Sequence, residues 1–302
     1  MSTDNEKSIY LLILLSTINS FSQNKTPFWT VSDTLHKPRR NSLIVAETVM
    51  AAGSLIALNQ LWYSEYPRSS FQFTNDNNQW KQMDKIGHIM TSYYIGKIGM
   101  DLMKWSGVSN KNQLIYGATA GFTFLTAVEI LDGFSEEWGF SLGDIAANAT
   151  GTGILIGQEL LWKEQRVKLK YSFHQTKYAT IKPELLGNNF IEQSIKDYNG
   201  QTYWLSANIW SFSKKKIFPK WLNIALGYGA EGMLSSQNTR ENEESEIPYR
   251  QFFISLDVDL TKVKTQSKIL KSVFSVINFI KIPAPTIEFR SKKGIKFHYL
   301  YF

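Results

Sequence analysis

The sequence predicts an α+β protein, in which a bundle of about four apolar helices precedes a strand-rich region that is either partly barrel-like or an open antiparallel sheet. Two observations support this fold class. Between residues 42 and 162, apolar residues fill four stretches near 20 residues long, which is typical of helices. Between residues 163 and 302, apolar residues alternate with polar ones at the period of two that is typical of strands.

The four helical stretches cover residues 42–63, 84–105, 113–131 and 142–162. Each is long enough to cross a bilayer core of ~30 Å, but each also holds charged residues, which are costly in lipid unless they face a protein interior. Two arrangements therefore stay open: a compact bundle in or on a membrane, and a soluble bundle with an unusually apolar surface.

Small residues stand four apart in the third and fourth stretches. These pairs are Gly117 and Gly121, Ala147 and Gly151, and Gly153 and Gly157. Glycine inside a helix costs ~1 kcal/mol relative to alanine in water. Small residues at this spacing also let two helix backbones approach closely. We therefore expect tight packing along both helices.

The C-terminal region holds about six strand candidates. They are residues 165–175, 203–210, 224–230, 252–260, 285–290 and 295–302. A hairpin turn is predicted at 291–294, and residues 269–280 have helical spacing. Six strands are fewer than the eight of the smallest usual outer-membrane barrels, which favours an open sheet against the helices. In the last strand, the expected members of one face are Ile295, Phe297, Tyr299 and Tyr301.

The N-terminus has the features of a secretory signal peptide. An apolar run at 9–18 precedes a small-x-small cleavage pattern at 20–22, which makes Gln23 the expected first mature residue. The chain is therefore divided into a signal peptide at 1–22, a helical domain at 23–162 and a strand-rich region at 163–302. The expected localisation is the cell envelope, at the outer membrane or the periplasmic face of a membrane.

Composition and charge narrow the classes of function. The sequence contains no cysteine, which excludes disulfides, thiol catalysis, Cys-ligated zinc and a lipid-modified cysteine. Residues 1–162 hold 11 basic and 14 acidic side chains, a net charge of −3. Residues 163–302 hold 22 basic and 12 acidic side chains, a net charge of +10. Lysines beside many Trp and Tyr residues suit anionic lipid head groups, so membrane lipid is the expected partner. Nucleic acid is not expected, because the chain is exported and lacks a nucleic-acid-binding motif. No protein partner is indicated.

Seven polar residues stand near the ends of the predicted helices. They are Asp84, Lys85 and His88 at the start of the second helix, Glu129 and Asp132 at the end of the third, and Asp144 and Asn148 at the start of the fourth. Residues three or four apart lie on one helix face. Because the second helix starts where the third stops and where the fourth starts, these groups are expected to meet at one end of the bundle.

Three roles for this group stay open. It could be a structural network, since buried polar groups hydrogen-bond one another and fix the register of a bundle. It could bind a divalent cation, with ligands drawn from Asp84, His88, Glu129, Asp132 and Asp144. It could also be a catalytic centre with His88 as general base. A divalent metal is the only cofactor that these residues indicate. The sequence shows no nucleophile elbow, phosphate loop, zinc-protease helix or dinucleotide fingerprint, and whether the protein is an enzyme stays open.

The same residues carry a resemblance to known families. The motifs read D-K-x-x-H over 84–88, E-x-x-D over 129–132 and D-x-x-x-N-x-x-G over 144–151. Their order resembles the YfiM-like family of uncharacterised predicted periplasmic (lipo)proteins, and the strand-rich tail resembles the longer form found in Bacteroidetes-type envelope proteins. The order is more distantly similar to VanZ-like membrane proteins, although Asp132 stands where those tend to have glutamine. The resemblance implies one envelope domain that contains all three motifs, and it supplies no reaction.

These features together predict a membrane-associated bacterial envelope protein whose polar group is structural or ligand-binding. The alternative is a metal-dependent or histidine-based enzyme that acts on an envelope lipid or a cell-wall precursor. The two differ in one structural feature: a catalytic histidine needs an open cavity beside it. A structural histidine is enclosed, with its partners satisfied.

Overall fold

A computed structural model describes residues 27–60, 67–236, 247–291 and 293–302 of the chain. The predicted signal peptide and Gln23 lie outside the described residues, as do residues 61–63 at the end of the first predicted helix. The described part is a mixture of helices and strands, with the long helices first and an antiparallel sheet at the C-terminus. The predicted α+β class is therefore confirmed.

Four long helices correspond to the four predicted stretches. They are α1 (Lys37–Leu58), α2 (Met83–Trp105), α3 (Ala120–Asp132) and α4 (Leu142–Trp162). α1 begins five residues before its predicted start because the His36 ring accepts a hydrogen bond from the backbone N–H of Arg39. The third stretch is not one regular helix, since a π-helical turn at Gln113–Gly117 precedes α3.

The small residues predicted to allow close packing divide into two groups. A Cβ atom on Gly121 would lie 2.1 Å from the backbone oxygen of Ser92, and one on Gly151 would lie 2.1 Å from that of Ile89. Both glycines therefore let α3 and α4 touch the backbone of α2. Gly153 and Gly157 meet nothing within 4 Å, so the packing expected at this pair is absent among the described residues.

The described C-terminal region contains more helices than the sequence pattern predicts. Four short ones are α5 (Lys177–Ile181), α6 (Pro183–Leu186), α7 (Phe190–Lys196) and α8 (Ile209–Ser213). A longer one, α9 (Lys268–Ile277), occupies the stretch whose spacing predicted a helix. The prediction of about four helices is wrong in this respect, because helices of one or two turns are too short to show a period of 3.6.

The main sheet has six antiparallel strands in sequence order. They are β3 (Val167–Phe173), β4 (Gln201–Asn208), β5 (Leu222–Glu231), β6 (Tyr249–Val258), β7 (Ala284–Arg290) and β8 (Gly294–Tyr301). The prediction of an open sheet is confirmed, and Tyr171 in β3 exchanges backbone hydrogen bonds with Phe279 and Lys281 ahead of β7. A parallel two-stranded pair, β1 (Phe73–Thr74) and β2 (Phe140–Ser141), lies beside the helices.

The two faces of this sheet are reversed relative to an ordinary soluble sheet. The inner face buries polar groups: Lys170 and Asp257 are fully buried and form an ion pair of 2.8 Å, and Ser206 donates to the same carboxylate at 2.6 Å. The outer face carries one apolar residue from each strand in a continuous row. The row consists of Leu169, Leu205, Leu226, Ile254, Ile287 and Phe297, and all but Leu169 are 40–55% exposed.

The last strand departs from the predicted alternation. The β7–β8 pairing shifts between Ala284, opposite Tyr301, and Thr286, opposite His298, so β8 carries one extra residue there. Tyr299 is 86% exposed, whereas Tyr301 is buried and lies against Phe253. The expectation that Tyr301 shares a face with Ile295, Phe297 and Tyr299 is therefore wrong, because the bulge turns its side chain inward.

The helical part packs against the outer face of the sheet at β3 and β4. Tyr93 of α2 is fully buried, and it belongs to an apolar core with Leu155 of α4 and Leu169 of β3.

By length and composition alone, two described helical stretches could cross a membrane, Lys37–Leu58 and Asn110–Asp132. In Lys37–Leu58, none of the most apolar 18 residues is buried. In Asn110–Asp132, 28% of the most apolar 18 residues are buried.

Candidate functional site

Three long helices bring polar side chains together at one end of the bundle. α2 supplies Asp84, Lys85 and His88 from its first turns, α3 supplies Glu129 from its last turn, and α4 supplies Asp144 and Asn148 from its first turns. With Asp76, which precedes α2, these seven residues are called the polar cluster below.

Lys85 lies at the centre of the acidic side chains. Its Nζ atom is 2.6 Å from a carboxylate oxygen of Asp76, 2.8 Å from one of Asp144 and 3.2 Å from one of Asp84. The side chain of Lys85 is only 12% exposed and that of Asp144 only 5%. Ion pairs shielded from water to this degree are screened less than surface pairs, and each partner depends strongly on the other.

His88 faces three carboxylates at equal distances. Its Nε2 atom is 3.8 Å from an oxygen of each of Asp84, Glu129 and Asp144. Its Nδ1 atom is 3.1 Å from the side-chain oxygen of Asn148. With that amide oxygen as the acceptor, Nδ1 carries the proton, and Nε2 is free to bind a cation or to take up a proton.

The local sequence explains how α4 positions its carboxylate. Ser141 caps the helix, because its hydroxyl accepts a hydrogen bond from the backbone N–H of Asp144 at 3.2 Å. The same hydroxyl donates to Asp76 at 2.6 Å, and the backbone N–H of Ser141 donates to Glu129 at 3.2 Å. One capping serine thus joins the carboxylates of Asp76 and Glu129 to the backbone at the start of α4.

Burial and charge shift the acid–base behaviour of the polar cluster. Burial raises the pKa of Glu129 to about 8, and the negative charge of Asp144 adds to this effect. Burial also raises the pKa of Asp144. Burial favours the neutral form of His88, but the charges of Asp84, Asp144 and Glu129 outweigh it and raise the pKa of the ring. At neutral pH, Glu129 therefore holds a proton, and the ring of His88 binds a proton more readily than an isolated imidazole does.

Two residues of the site, Asp76 and Tyr198, were not predicted from the sequence, and one predicted member, Asp132, has a different position. Asp76 is a full partner of Lys85, and the Tyr198 hydroxyl donates to Asp84 at 2.9 Å. Tyr198 comes from the C-terminal half, so no local pattern could have pointed to it. Asp132 acts on the polar cluster through its charge, which helps to raise the pKa of Glu129, and its backbone oxygen accepts from Ser135 and Gly139.

A left-handed turn sets the start of α2. Trp80, Lys81 and Gln82 have φ values of 46°, 52° and 64°, a region that costs a non-glycine residue roughly 1 kcal/mol or more. The sheet holds this turn in place: the guanidinium of Arg250 donates to the Gln82 side chain at 2.5 Å, and the hydroxyl of Tyr228 donates to the backbone oxygen of Lys81. The position of Asp84 and Lys85 therefore depends on contacts with β5 and β6.

The polar cluster opens onto a cavity of about 800 Å³. Asp84 and His88 form part of its wall, and their side chains are 27% and 18% exposed. The rest of the wall comes mainly from α2, α7 and α9 and from Tyr171 and Tyr203 of the sheet. A cavity of this size beside a histidine and a carboxylate is typical of small-molecule sites.

Comparison with known proteins gives one match. Residues 72–157 match the family model described as "Predicted periplasmic lipoprotein (DUF2279)", and this range contains every member of the polar cluster. Neither a curated protein nor a solved structure gives a significant match. The predicted resemblance to an uncharacterised periplasmic family is confirmed at this level. By its region 72–157 the chain is similar to a family of predicted periplasmic lipoproteins, and the protein is an exported component of the cell envelope.

Proposed function

We propose that this protein is a membrane-associated envelope protein that binds a small ligand at the polar cluster. The observation that carries the proposal is that Asp84 and His88 belong both to the polar cluster and to the wall of the cavity. A purely structural network would be enclosed on all sides. The order of the three motifs also supports a relationship to the YfiM-like family and, more distantly, to VanZ-like proteins.

A divalent cation is the ligand that best suits these side chains. Ligand atoms of Asp84, His88 and Asp144 all lie within 4.8 Å of one another. One imidazole nitrogen with carboxylate oxygens is a donor set that suits Mn²⁺ or Zn²⁺. The amide of Asn148 orients the ring of His88, which is the usual role of a residue behind a metal-binding histidine. Glu129 is placed to complete the set once it releases its proton, since it is as close to Nε2 as the two aspartates.

Cation binding is tested by titrating the purified, chelator-treated protein with Mn²⁺ and following the ion by electron paramagnetic resonance. We expect stoichiometric binding, and a weakening of at least about tenfold in His88→Ala, because loss of one ligand removes a full coordination bond. The bound ion should also raise the melting temperature, since it binds only the folded state.

His298→Ala is the matched control, because His298 also lies beside a carboxylate, 2.7 Å from Glu288, but in the interior of the sheet. This variant should bind Mn²⁺ as the wild type does. If the wild type binds neither Mn²⁺ nor Zn²⁺ and His88→Ala loses much of its stability, the polar cluster is a structural network and the proposal fails.

The enzyme alternative rests on the same cavity. His88 would act as general base through Nε2, and Asp84, Glu129 and Asp144 would orient the ring or hold a metal. The substrate class would be an envelope lipid or a cell-wall precursor, because the protein is exported and the cavity is mostly apolar.

Membrane association is supported by the outer face of the sheet. Its row of apolar side chains is exposed across five strands, and contiguous apolar patches of this kind mark membrane or protein contacts. Exposed lysines stand at both ends of the face: Lys214 and Lys220 contact the ring of Trp210 at one end, and Lys293 contacts Tyr249 at the other. Basic residues beside aromatic ones favour anionic lipid head groups.

Flotation with vesicles of phosphatidylethanolamine and phosphatidylglycerol tests this association. We expect the wild type to float, and Leu226→Gln combined with Ile254→Gln to bind at least about tenfold more weakly, because burying each apolar side chain contributes roughly 1.5–3 kcal/mol. The control is Ile181→Gln with Ile191→Gln, two exposed isoleucines of α5 and α7 that do not belong to this row. Equal flotation of both double variants would refute the assignment of the outer face.

A further inference from the structure

The cavity beside the polar cluster is long and narrow. The residues of α2 that line it extend from Asp84 to Leu102, which corresponds to about 27 Å of helix at 1.5 Å per residue. A volume of about 800 Å³ spread over that length gives a mean cross-section of about 30 Å². These dimensions suit an extended hydrocarbon chain better than a compact, ring-shaped molecule.

The wall of the cavity changes in character along its length. At one end, Asp84, His88 and Tyr198 present polar atoms. The middle is apolar or aromatic, with Met90, Tyr94, Ile95, Ile98, Tyr171, Tyr203 and Phe279. At the far end, Lys97 and Asp101 pair with each other. Because Lys97 and Asp101 pair with each other, the end at Asp84 and His88 offers the acceptor for a head group, and the apolar middle is complementary to a hydrocarbon chain.

An amphipathic helix forms one side of the cavity. α9 contributes Ser272, Ser275 and Val276 to the wall. Its apolar residues Ile269 and Val273 are 61% and 43% exposed, so apolar surface extends from the outside of the protein to the cavity. Helices with this pattern lie at the boundary between lipid and water, where an acyl chain could leave a bilayer.

We propose that the cavity binds a single long-chain amphiphile, with its chain along α2 and a head group that donates hydrogen bonds to Asp84. An ionised carboxylate only accepts hydrogen bonds, and one oxygen of Asp84 already accepts from Tyr198 at the cavity wall. An amine or hydroxyl head group matches this acceptor, whereas an ionised carboxylate or sulfate head group has no hydrogen to donate to it. The inference rests on the proposed function, because the polar cluster serves as the head-group site.

The test uses the neutral fluorescent dye N-phenyl-1-naphthylamine on the full-length protein in the presence of chelator. We expect the dye to fluoresce when bound, and dodecylamine to displace it at a concentration at least about tenfold lower than dodecanoate does, as one charge-assisted hydrogen bond predicts. In Asp84→Asn this preference should disappear, while displacement by the neutral dodecanol is retained.

A pair of threonine substitutions locates the site. Thr91 is an exposed residue of α2 in the cavity wall, and Thr123 is an exposed residue of α3 outside it. Thr91→Trp should fill the cavity and reduce dye binding at least about tenfold, whereas Thr123→Trp should leave it unchanged. Equal dye binding by both variants, or tighter binding of dodecanoate than of dodecylamine, would overturn the proposal. Because chelator is present throughout, a failure of Mn²⁺ binding is a separate result.

Discussion

Replacing Gly151 with alanine should destabilise the protein by about 3 kcal/mol or more, because the added methyl group would overpack the contact between α4 and α2. The new Cβ atom would lie 2.1 Å from the backbone oxygen of Ile89. A backbone oxygen cannot rotate away as a flexible side chain can, so the two helices must separate. Separation would also disturb two hydrogen bonds of the Ser92 hydroxyl, one to the backbone oxygen of Asn148 and one with the hydroxyl of Thr152.

The control for this prediction lies two residues further along the same helix. A methyl group added at Gly153 would meet nothing within 4 Å, so Gly153→Ala should be stabilising by roughly 0.5–1 kcal/mol through helix propensity alone. Urea unfolding followed by tryptophan fluorescence measures both variants. Similar free energies of unfolding for the two would contradict the close contact between α2 and α4.

Replacing Lys85 with methionine should cost about 3–5 kcal/mol, because it leaves the carboxylates of Asp76, Asp84 and Asp144 without their shared cation. Burial alone would lower the pKa of Lys85, but these three charges raise it above its usual range, so the side chain is positively charged at neutral pH. The loss should be measured by urea unfolding in the presence of chelator.

Two further variants separate the charge effect from a loss of packing. Lys97→Met removes a lysine from the same helix, but its partner Asp101 is 47% exposed, so the cost should stay below about 1 kcal/mol. Lys85→Met combined with Asp144→Asn should recover part of the lost stability, because it removes one of the unpaired charges. If Lys85→Met costs no more than Lys97→Met, the network around Lys85 contributes little to the fold.

The sequence pattern predicted those members of the polar cluster that lie on the long helices, but not the residues that reach it from other segments. The spacing of Asp84 and His88, and of Asp144 and Asn148, placed each pair on one helix face, and the structure brings both pairs together. Helix spacing is a local property, so it can be read from neighbouring residues. Asp76 and Tyr198 could not be found in this way, because they reach the polar cluster only after the loop before α2 and the segment after α7 have folded against it.

Local sequence patterns were also insufficient for the sheet, where they did not show which face is buried. Alternation in residues 203–210 and 252–260 indicated strands correctly as far as Asn208 and Val258, whereas Ile209 and Trp210 belong to α8. A period of two is the same whichever face points inward. The structure buries Ser206 and Asp257 and leaves Leu205 and Ile254 on the outer face. For Tyr301 the alternation itself fails, because a bulge is a property of the β7–β8 pairing.

Local patterns alone were sufficient for the α+β organisation, the four long helices and the six strands of the described sheet, because periodicity and capping act within a few residues. Export to the envelope was also predicted from the sequence, and the family match of residues 72–157 supports it. The inverted faces of the sheet, the backbone contacts at Gly121 and Gly151, and the cavity beside His88 depend on which distant segments pack together. Those features arise from burial and shape complementarity between elements far apart in the chain, and so only the folded protein defines them.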